Sequence, residues 1–246
     1  MAILVTGGTK GIGLAIARRF AKPGVPVFLN YHHDDHAARA AEREISQLGA
    51  TPHLVRANAG TPDGVRTIID AVSRETDHLD QLVHCAVSIV AEPLLEMSPE
   101  ALDRAIQLNG TAIAWLAQAA RPLLRRGSTV FFITSKGSRT VVPNYAAVGA
   151  PKALAEALIR YLAQELAPLG VRANCVAPGT VDTQALRSVF GDRTDAYLEE
   201  AARTNPTGRN VTHDDYTAVV EFLAGPEAEM VQGQVIFVNG GQYLSA

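Results

Sequence analysis

Tyr145 and Lys152 stand seven residues apart in the run NYAAVGAPKALAEALIRYLAQEL, residues 144–166. Seven residues are close to two turns of α-helix, so a phenol and an ammonium at this spacing can face the same way. Together they can hold a developing negative charge: the phenol donates a hydrogen bond to an oxyanion, and a nearby positive charge makes it a stronger donor. The same spacing also suits two unrelated residues, a packed tyrosine with its hydroxyl in water and a solvated lysine. Pro151 sits just before the lysine. Proline is tolerated only near a helix start, so the helix carrying Lys152 is expected to begin near Val148, with Tyr145 on the entering loop.

A second group of residues suits phosphate. In ILVTGGTKGIGLAIARRF, Gly7, Gly11 and Gly13 lie between an apolar strand and a helix expected over about residues 12–21, with Lys10 and Ile12 among them. Glycines allow a tight turn and close backbone approach, and unpaired amides at a helix N-terminus attract a pyrophosphate. The strand before and the helix after are what separate such a loop from a structural glycine turn.

Both groups need a scaffold. Apolar, β-branched runs recur at 2–6, 25–30, 53–57, 79–85, 129–134, 171–176 and 234–238, with helical patterns between most of them. Continuous apolar strands separated by helices predict a doubly wound, Rossmann-type α/β fold: one domain over 1–246, its parallel sheet covered on both faces. Residues 98–126 read as one long helical stretch, with Ser98 as cap and Pro99 in the first turn. Residues 180–210 follow a strand yet carry little apolar periodicity. The 183–208 segment within them is read as a substrate lid, with a peripheral helical hairpin as the alternative.

Composition narrows the partners. The chain has 246 residues, 47% hydrophobic and 19% charged, with a net charge of −3. Its charges are mixed along the chain, which is no footprint for nucleic acid or an anionic membrane. It lacks a secretion-signal pattern and any apolar run near the ~18 residues of a membrane helix, so a cytoplasmic setting is expected. Cys85 and Cys175 lie in strand-like runs and read as buried free thiols. No cluster has metal-ligand spacing, and His32, His33 and His36 read as solvated.

Further motifs follow in order: the T-G-x-x-x-G-x-G loop, DQLVHCAV at 80–87, Asn109 in LNGTAIAWLAQAA, Ser135 after VFFIT, VAPGTVDT at 176–183 and GQVIFVNGG at 233–241. In these the chain resembles the short-chain dehydrogenase/reductase family nearly end to end. It departs where the family's usual Y-x-x-x-K pair would put a tyrosine, because Val148 stands four residues before Lys152. The Y-x6-K frame of Tyr145 and Lys152 is similar instead to the enoyl-acyl-carrier-protein reductases, above all their type III members. VDTQAL, ARTNPTGR and EFLAGPEAEMVQGQVIFVNGG strengthen that likeness. Other departures are His84 and Cys85 in place of paired asparagines, Val87 in place of a glycine, and no second tyrosine between 136 and 144. With valine at 87 the adenosine-side turn is expected to differ.

The resemblance implies NADPH-dependent reduction of the carbon–carbon double bond of an α,β-unsaturated (enoyl) thioester in fatty-acid or specialised-metabolite biosynthesis. Tyr145 would stabilise the enolate, Lys152 would hold the nicotinamide ribose, Ser135 would meet substrate, and Asn109 would kink its helix and hold water. The cofactor would contact Gly7, Lys10, Gly11, Ile12, Gly13, Tyr31, Asn58, Ala59, Ala86, Lys152, Pro178, Gly179, Val181 and Thr183. NADPH is expected because the second strand ends at Asn30 without a carboxylate and Lys10 offers charge to a 2′-phosphate. Asp34 and Asp35, with no arginine beside them, leave NADH open. A homotetramer is implied, with substrate delivered on a carrier protein or coenzyme A; Arg187, Arg193, Arg203 and Arg209 would then face an acidic carrier. Two alternatives stand: a ketoreductase in which Tyr145 protonates a carbonyl oxygen, and a catalytically silent dinucleotide-binding protein left when the usual tyrosine became Val148.

Overall fold

Apolar runs become seven strands: β1 (Ile3–Thr6), β2 (Pro26–Tyr31), β3 (Thr51–Arg56), β4 (Leu79–His84), β5 (Leu124–Ile133), β6 (Arg172–Pro178) and β7 (Val235–Val238). The structure, a computed structural model, describes residues 1–244, so the last two positions of the expected domain lie outside it. All neighbouring strands pair in parallel, in the order β3-β2-β1-β4-β5-β6-β7. The helices are α1 (Gly11–Phe20), α2 (Asp35–Gln47), α3 (Pro62–Glu75), α4 (Pro99–Ile106), α5 (Ala112–Ala120), α6 (Ala146–Leu166), α7 (Gln184–Phe190), α8 (Thr194–Thr204) and α9 (His213–Ala224).

One apolar core joins the sheet to α3, α5 and α6 through Ile68, Leu116 and Ile159, and a second joins its other face to α1, α2 and α9 through Ile16, Ile45 and Tyr216. This is the doubly wound architecture the strand pattern predicts. Winding reverses between β1 and β4, which opens a crevice at the carboxyl ends of the strands. No helix among the described residues is long and apolar enough to cross a membrane.

Two helical expectations need correction. The stretch 98–126 is not one helix: α4 stops at Ile106, Gln107–Thr111 wind as a π-turn, α5 ends at Ala120, and the chain enters β5 at Leu124. The helix carrying Lys152 begins at Ala146, which leaves Pro151 inside it.

One side chain accounts for both. Proline has no N–H, so the carbonyl four residues earlier, that of Ala147, loses its intrahelical donor. Asn109, in the π-turn, donates its Nδ2 to that carbonyl at 2.9 Å. The same amide accepts from the Ser88 N–H and donates to the Ser88 carbonyl, each at 2.8 Å. The π-turn and the interior proline therefore fit each other.

His84 does parallel work. Its Nδ1 meets the Thr6 hydroxyl at 2.6 Å and its Nε2 the Leu108 carbonyl at 2.9 Å, tying β4 to β1 and to the π-turn. Burial pushes its pKa down to about 4. A neutral ring satisfies both contacts, with Nε2–H donating to the carbonyl and Nδ1 accepting from the hydroxyl. Both thiols are free as expected, but only Cys175 is buried: Cys85 is half-buried and lines the crevice, and desolvation pushes Cys85 up to about 11 and Cys175 higher still.

Asn109→Ala strands the Ala147 carbonyl and both Ser88 backbone groups, and is expected to cost about 2–3 kcal/mol of stability. Pro151→Ala supplies the missing N–H, so in the Asn109→Ala background it should recover on the order of 1 kcal/mol, a non-additivity that a urea-unfolding double-mutant cycle measures. Additive losses would mean that the proline and the asparagine do not serve one carbonyl.

Candidate active site

The phosphate loop is built by close approach. Gly7 has φ +62°, and a Cβ there would lie 2.8 Å from the Ala86 Cα; a Cβ on Gly13 would run into the Gly7 carbonyl. Side chains cap α2, α4 and α7 through Asp34, Ser98 and Thr183, whereas Lys10, at the cap of α1, gives no such bond. The first amides of α1 thus face an open cleft of about 460 Å³, lined by Gly7, Lys10, Gly11, Ala86, Val87 and Thr183 among others.

On the adenosine side, Asn30 turns into the sheet, donating to the Val55 and Ala57 carbonyls at 3.1 and 3.0 Å. The strand continues to Tyr31, whose parallel partner is Arg56. Tyr31 donates its hydroxyl to Asp35 at 2.8 Å, Arg56 pairs with Asp35 at 3.2 Å, and Lys10 pairs with Asp34 at 3.0 Å. The YHHDDH run itself has no arginine; Arg56 arrives from β3, placed by register. Asn58 accepts the Gly60 N–H at 2.9 Å and Ala59 is buried, so these two shape the loop after β3.

The catalytic candidates converge at the end of β5. Lys152 is only 9% exposed and donates its Nζ to the Ile133 carbonyl at 3.0 Å. No carboxylate pairs with it among the described residues, so it is not the solvated lysine of a first turn. Val142, Pro143 and Asn144 form a β-turn closed by the Tyr145 N–H on the Val142 carbonyl at 3.2 Å, with Asn144 at φ +57°. Proline followed by a residue of positive φ is the type II pattern, and asparagine is among the few side chains that tolerate it. The turn delivers Tyr145 to the cap of α6.

From there the Tyr145 ring lies against Gly137, where a Cβ would stand 2.6 Å from its Cδ1. Its hydroxyl is 3.5 Å from the Ser135 Oγ. Tyr145, Ser135, Lys152, Ile12, Pro178, Gly179, Val181 and Thr183 line one cavity of about 210 Å³. Val148 is fully buried and takes no part in that lining. Asn109 does not reach the cavity either; it acts through Ser88 and Ala147.

The 183–208 segment forms α7 and α8. Leu186, Val189 and Phe190 of α7 and Tyr197 of α8 face the cavity, with the Phe190 and Tyr197 rings stacked at 4.0 Å. No residue of α7 is buried. Of the arginines expected to face a carrier, Arg187 is held by Asp182 and Asp195, Arg203 by Glu200 and Arg209 by Asp215. Most of that positive charge is internally matched. Two further lining residues, Lys136 and Tyr243, carry no motif; a lysine directly after Ser135 was the one signal. Among the described residues no group of three or more His, Cys, Asp or Glu is arranged to hold a metal.

A doubly wound sheet, an anion-ready α1 terminus and a tyrosine, serine and lysine at the mouth of the crevice define a dinucleotide-dependent oxidoreductase. The chain belongs to the short-chain dehydrogenase/reductase family: residues 7–242 match the family model described as enoyl-(acyl carrier protein) reductase. It is similar to the 1-cyclohexenylcarbonyl-CoA reductase of Streptomyces collinus, 29% identical over 99% of this chain and 87% of that protein. It is also similar to the NADPH-dependent aldehyde reductase-like protein, chloroplastic, of Arabidopsis thaliana, 31% identical over 97% of this chain and 92% of that one. A short chain dehydrogenase from Burkholderia cenocepacia J2315, solved in complex with NADP, is 30% identical with a TM-score of 0.87, covering 98% of this chain and 96% of the other.

Replacing Asn144 by valine forces a β-branched residue into positive φ. The expected cost is about 1–2 kcal/mol of strain and a turnover loss through the displaced Tyr145. Asn144→Gly should keep turnover, and steady-state kinetics of the two variants compares them.

Proposed function

We propose that this protein reduces the carbon–carbon double bond of an α,β-unsaturated (enoyl) thioester, with NADPH as the reductant. The observation that carries the reading is the placement of Tyr145: its hydroxyl, not a side chain at 148, stands beside Ser135 in the cavity that Lys152 underlies. The Streptomyces collinus relative, named as a 1-cyclohexenylcarbonyl-CoA reductase, supports a thioester substrate.

The residues suit a dinucleotide: Gly7 and Gly13 leave room that a Cβ would fill, and the buried Lys152 ammonium has only one carbonyl partner. When bound, the reduced nicotinamide supplies a hydride to the β-carbon. Tyr145 donates its O–H to the thioester oxygen as enolate charge gathers there, and Ser135 offers a second donor. Lys152, held at the Ile133 carbonyl, keeps N–H groups for the ribose hydroxyls, and its charge strengthens the phenol as a donor. The apolar side chains of α7 and α8 exclude water from the reacting carbons. The enolate then takes one solvent-derived proton at its α-carbon, so that hydride and proton together saturate the double bond.

NADPH is favoured over NADH by Lys10 and Arg56, which reach the end of β2 where a 2′-phosphate would lie. Each is paired with a carboxylate, Asp34 or Asp35, in solvent-exposed contacts weak enough to be exchanged. The NADP bound by the Burkholderia relative and the name of the Arabidopsis one support the same cofactor. A cytoplasmic homotetramer acting on carrier-protein or coenzyme A thioesters, in fatty-acid or specialised-metabolite synthesis, is the setting that the family resemblance favours. Carbonyl reduction is the second reading: Ser135 and Tyr145 at 3.5 Å would also serve a carbonyl oxygen.

Tyr145→Phe should leave cofactor binding intact and lower enoyl-thioester turnover on the order of 10²-fold, about 3 kcal/mol. Lys152→Ala should impair both. Val148→Tyr places a ring in a fully buried site, at a cost of about 1–3 kcal/mol, and should not improve enoyl reduction. Full enoyl activity in Tyr145→Phe would sink the assignment; turnover of keto but not enoyl substrates by the wild type would establish the second reading.

The lid makes a separate claim. Hydrogen exchange across 183–208 should slow when cofactor and substrate are both bound, since α7 buries nothing of its own. Equal exchange in the free protein and the ternary complex would rule out closure.

A further inference from the structure

Lys136 is a second ammonium in the reaction cavity, and the proposed chemistry does not use it. It follows Ser135 directly and lines the cavity, yet it is absent from the phosphate-loop cleft. It adjoins Ser135, the residue assigned to the substrate oxygen, and shares its stretch of the cavity with Val142 and Tyr243, which puts it on the substrate's side. Among the described residues the lining contains two charged side chains, Lys136 and Lys152, and no carboxylate. Lys152 has a carbonyl partner and the ribose to hold. Among the described residues the Lys136 ammonium has one hydrogen-bond partner, the hydroxyl of Tyr243, and it also lies 4.0 Å from that ring's centroid.

Tyr243 is not a loose end. Its carbonyl accepts from Asn239 Nδ2 at 3.0 Å, and the carbonyl of Asn239 accepts from Asn205 Nδ2 at 3.1 Å. The neighbouring Gln242 donates to the Ala201 carbonyl in α8 at 3.2 Å. The chain after β7 is thus fastened to the base of the lid, and Tyr243 projects into the cavity from a built position. The rest of the substrate side is largely hydrocarbon: Val142, Leu186, Val189 and Phe190.

We propose that Lys136 and Tyr243 form a carboxylate-recognition subsite, and that the acyl group reduced here carries an anionic oxygen remote from the reacting thioester. Because the ammonium donates to the phenol oxygen, the phenol's own proton is left to donate outward. Lys136 retains two further N–H groups. Three donors and a positive charge suit a carboxylate. Hydrocarbon walls exclude water and strengthen the attraction, and an acyl chain without the anion would bury this ammonium unpaired. The subsite therefore selects by rejecting plain hydrocarbon as well as by attracting charge. The inference rests on the thioester reading for the reacting end of the substrate; the preference at the other end is tested by itself.

The test uses neutral N-acetylcysteamine thioesters, so that the acyl end carries the only charge. Calorimetry on the NADP⁺-loaded protein compares glutaryl with pentanoyl thioester, equal in chain length and differing in the terminal carboxylate. The wild type should bind the glutaryl ester about tenfold or more tightly. Lys136→Met should erase that difference, and Tyr243→Phe should reduce it in part. Equal affinity for the two esters in the wild type, or a preference that survives Lys136→Met, overturns the subsite. The matching 2-enoyl esters, followed by NADPH oxidation, report on the reaction separately. A carboxylate preference in binding without reduction of either enoyl ester would uphold the subsite and sink the thioester-reduction reading.

Discussion

The hydrogen bond from Asn109 to the Ala147 carbonyl is the joint on which the site depends. Pro151 denies that carbonyl its helical donor, and the asparagine, presented by a π-turn, replaces it while gripping both backbone groups of Ser88. Three segments are fixed by one amide: the loop after β4, the bend between α4 and α5, and the first turns of α6. Tyr145 lies two residues before Ala147 and Lys152 one residue after Pro151. A loose joint would let the two move independently, and an oxyanion donor displaced by even an ångström loses much of its effect.

Tyr145 is also placed by what is missing around it. Its ring occupies the space of an absent side chain at Gly137, and Gly137 in turn approaches α6 through the absent side chain of Gly149. The entering turn stores a residue at positive φ, Asn144, next to Tyr145. Strain of this kind persists where surrounding contacts over-determine it. Here the contacts are the closed turn, the glycine-backed ring and the asparagine joint.

Electrostatically the crevice is one-sided. Lys152 and Lys136 reach it, and no carboxylate does. Lys10 and Arg56, by contrast, stand with Asp34 and Asp35 in exposed pairs that solvent screens. Among the described residues the cavity's cations, the buried Lys152 and the half-buried Lys136, are thus the ones without counter-ions, which is the arrangement expected where ligands bring the negative charge.

The sequence by itself determined the doubly wound sheet and its glycine turn, because strand periodicity and a glycine turn are local properties of the chain, and its likeness to the reductase family, more than the Y-x6-K spacing, pointed to Tyr145 rather than Val148. It also marked Lys152, Ser135 and the 183–208 excursion. The helix boundaries near Pro151 were misplaced because the rule that a proline breaks a helix assumes no outside donor, and that donor, Asn109, is 38 residues away. Arg56 beside Asp35, and Tyr243 beside Lys136, were invisible for the same reason. Parallel register brings the first pair together and the fastened segment after β7 the second, and neither leaves a local trace. Only the tertiary structure decided which cations meet which anions, and which of them is left in the cavity without one, because separation along the chain says nothing about proximity across strands.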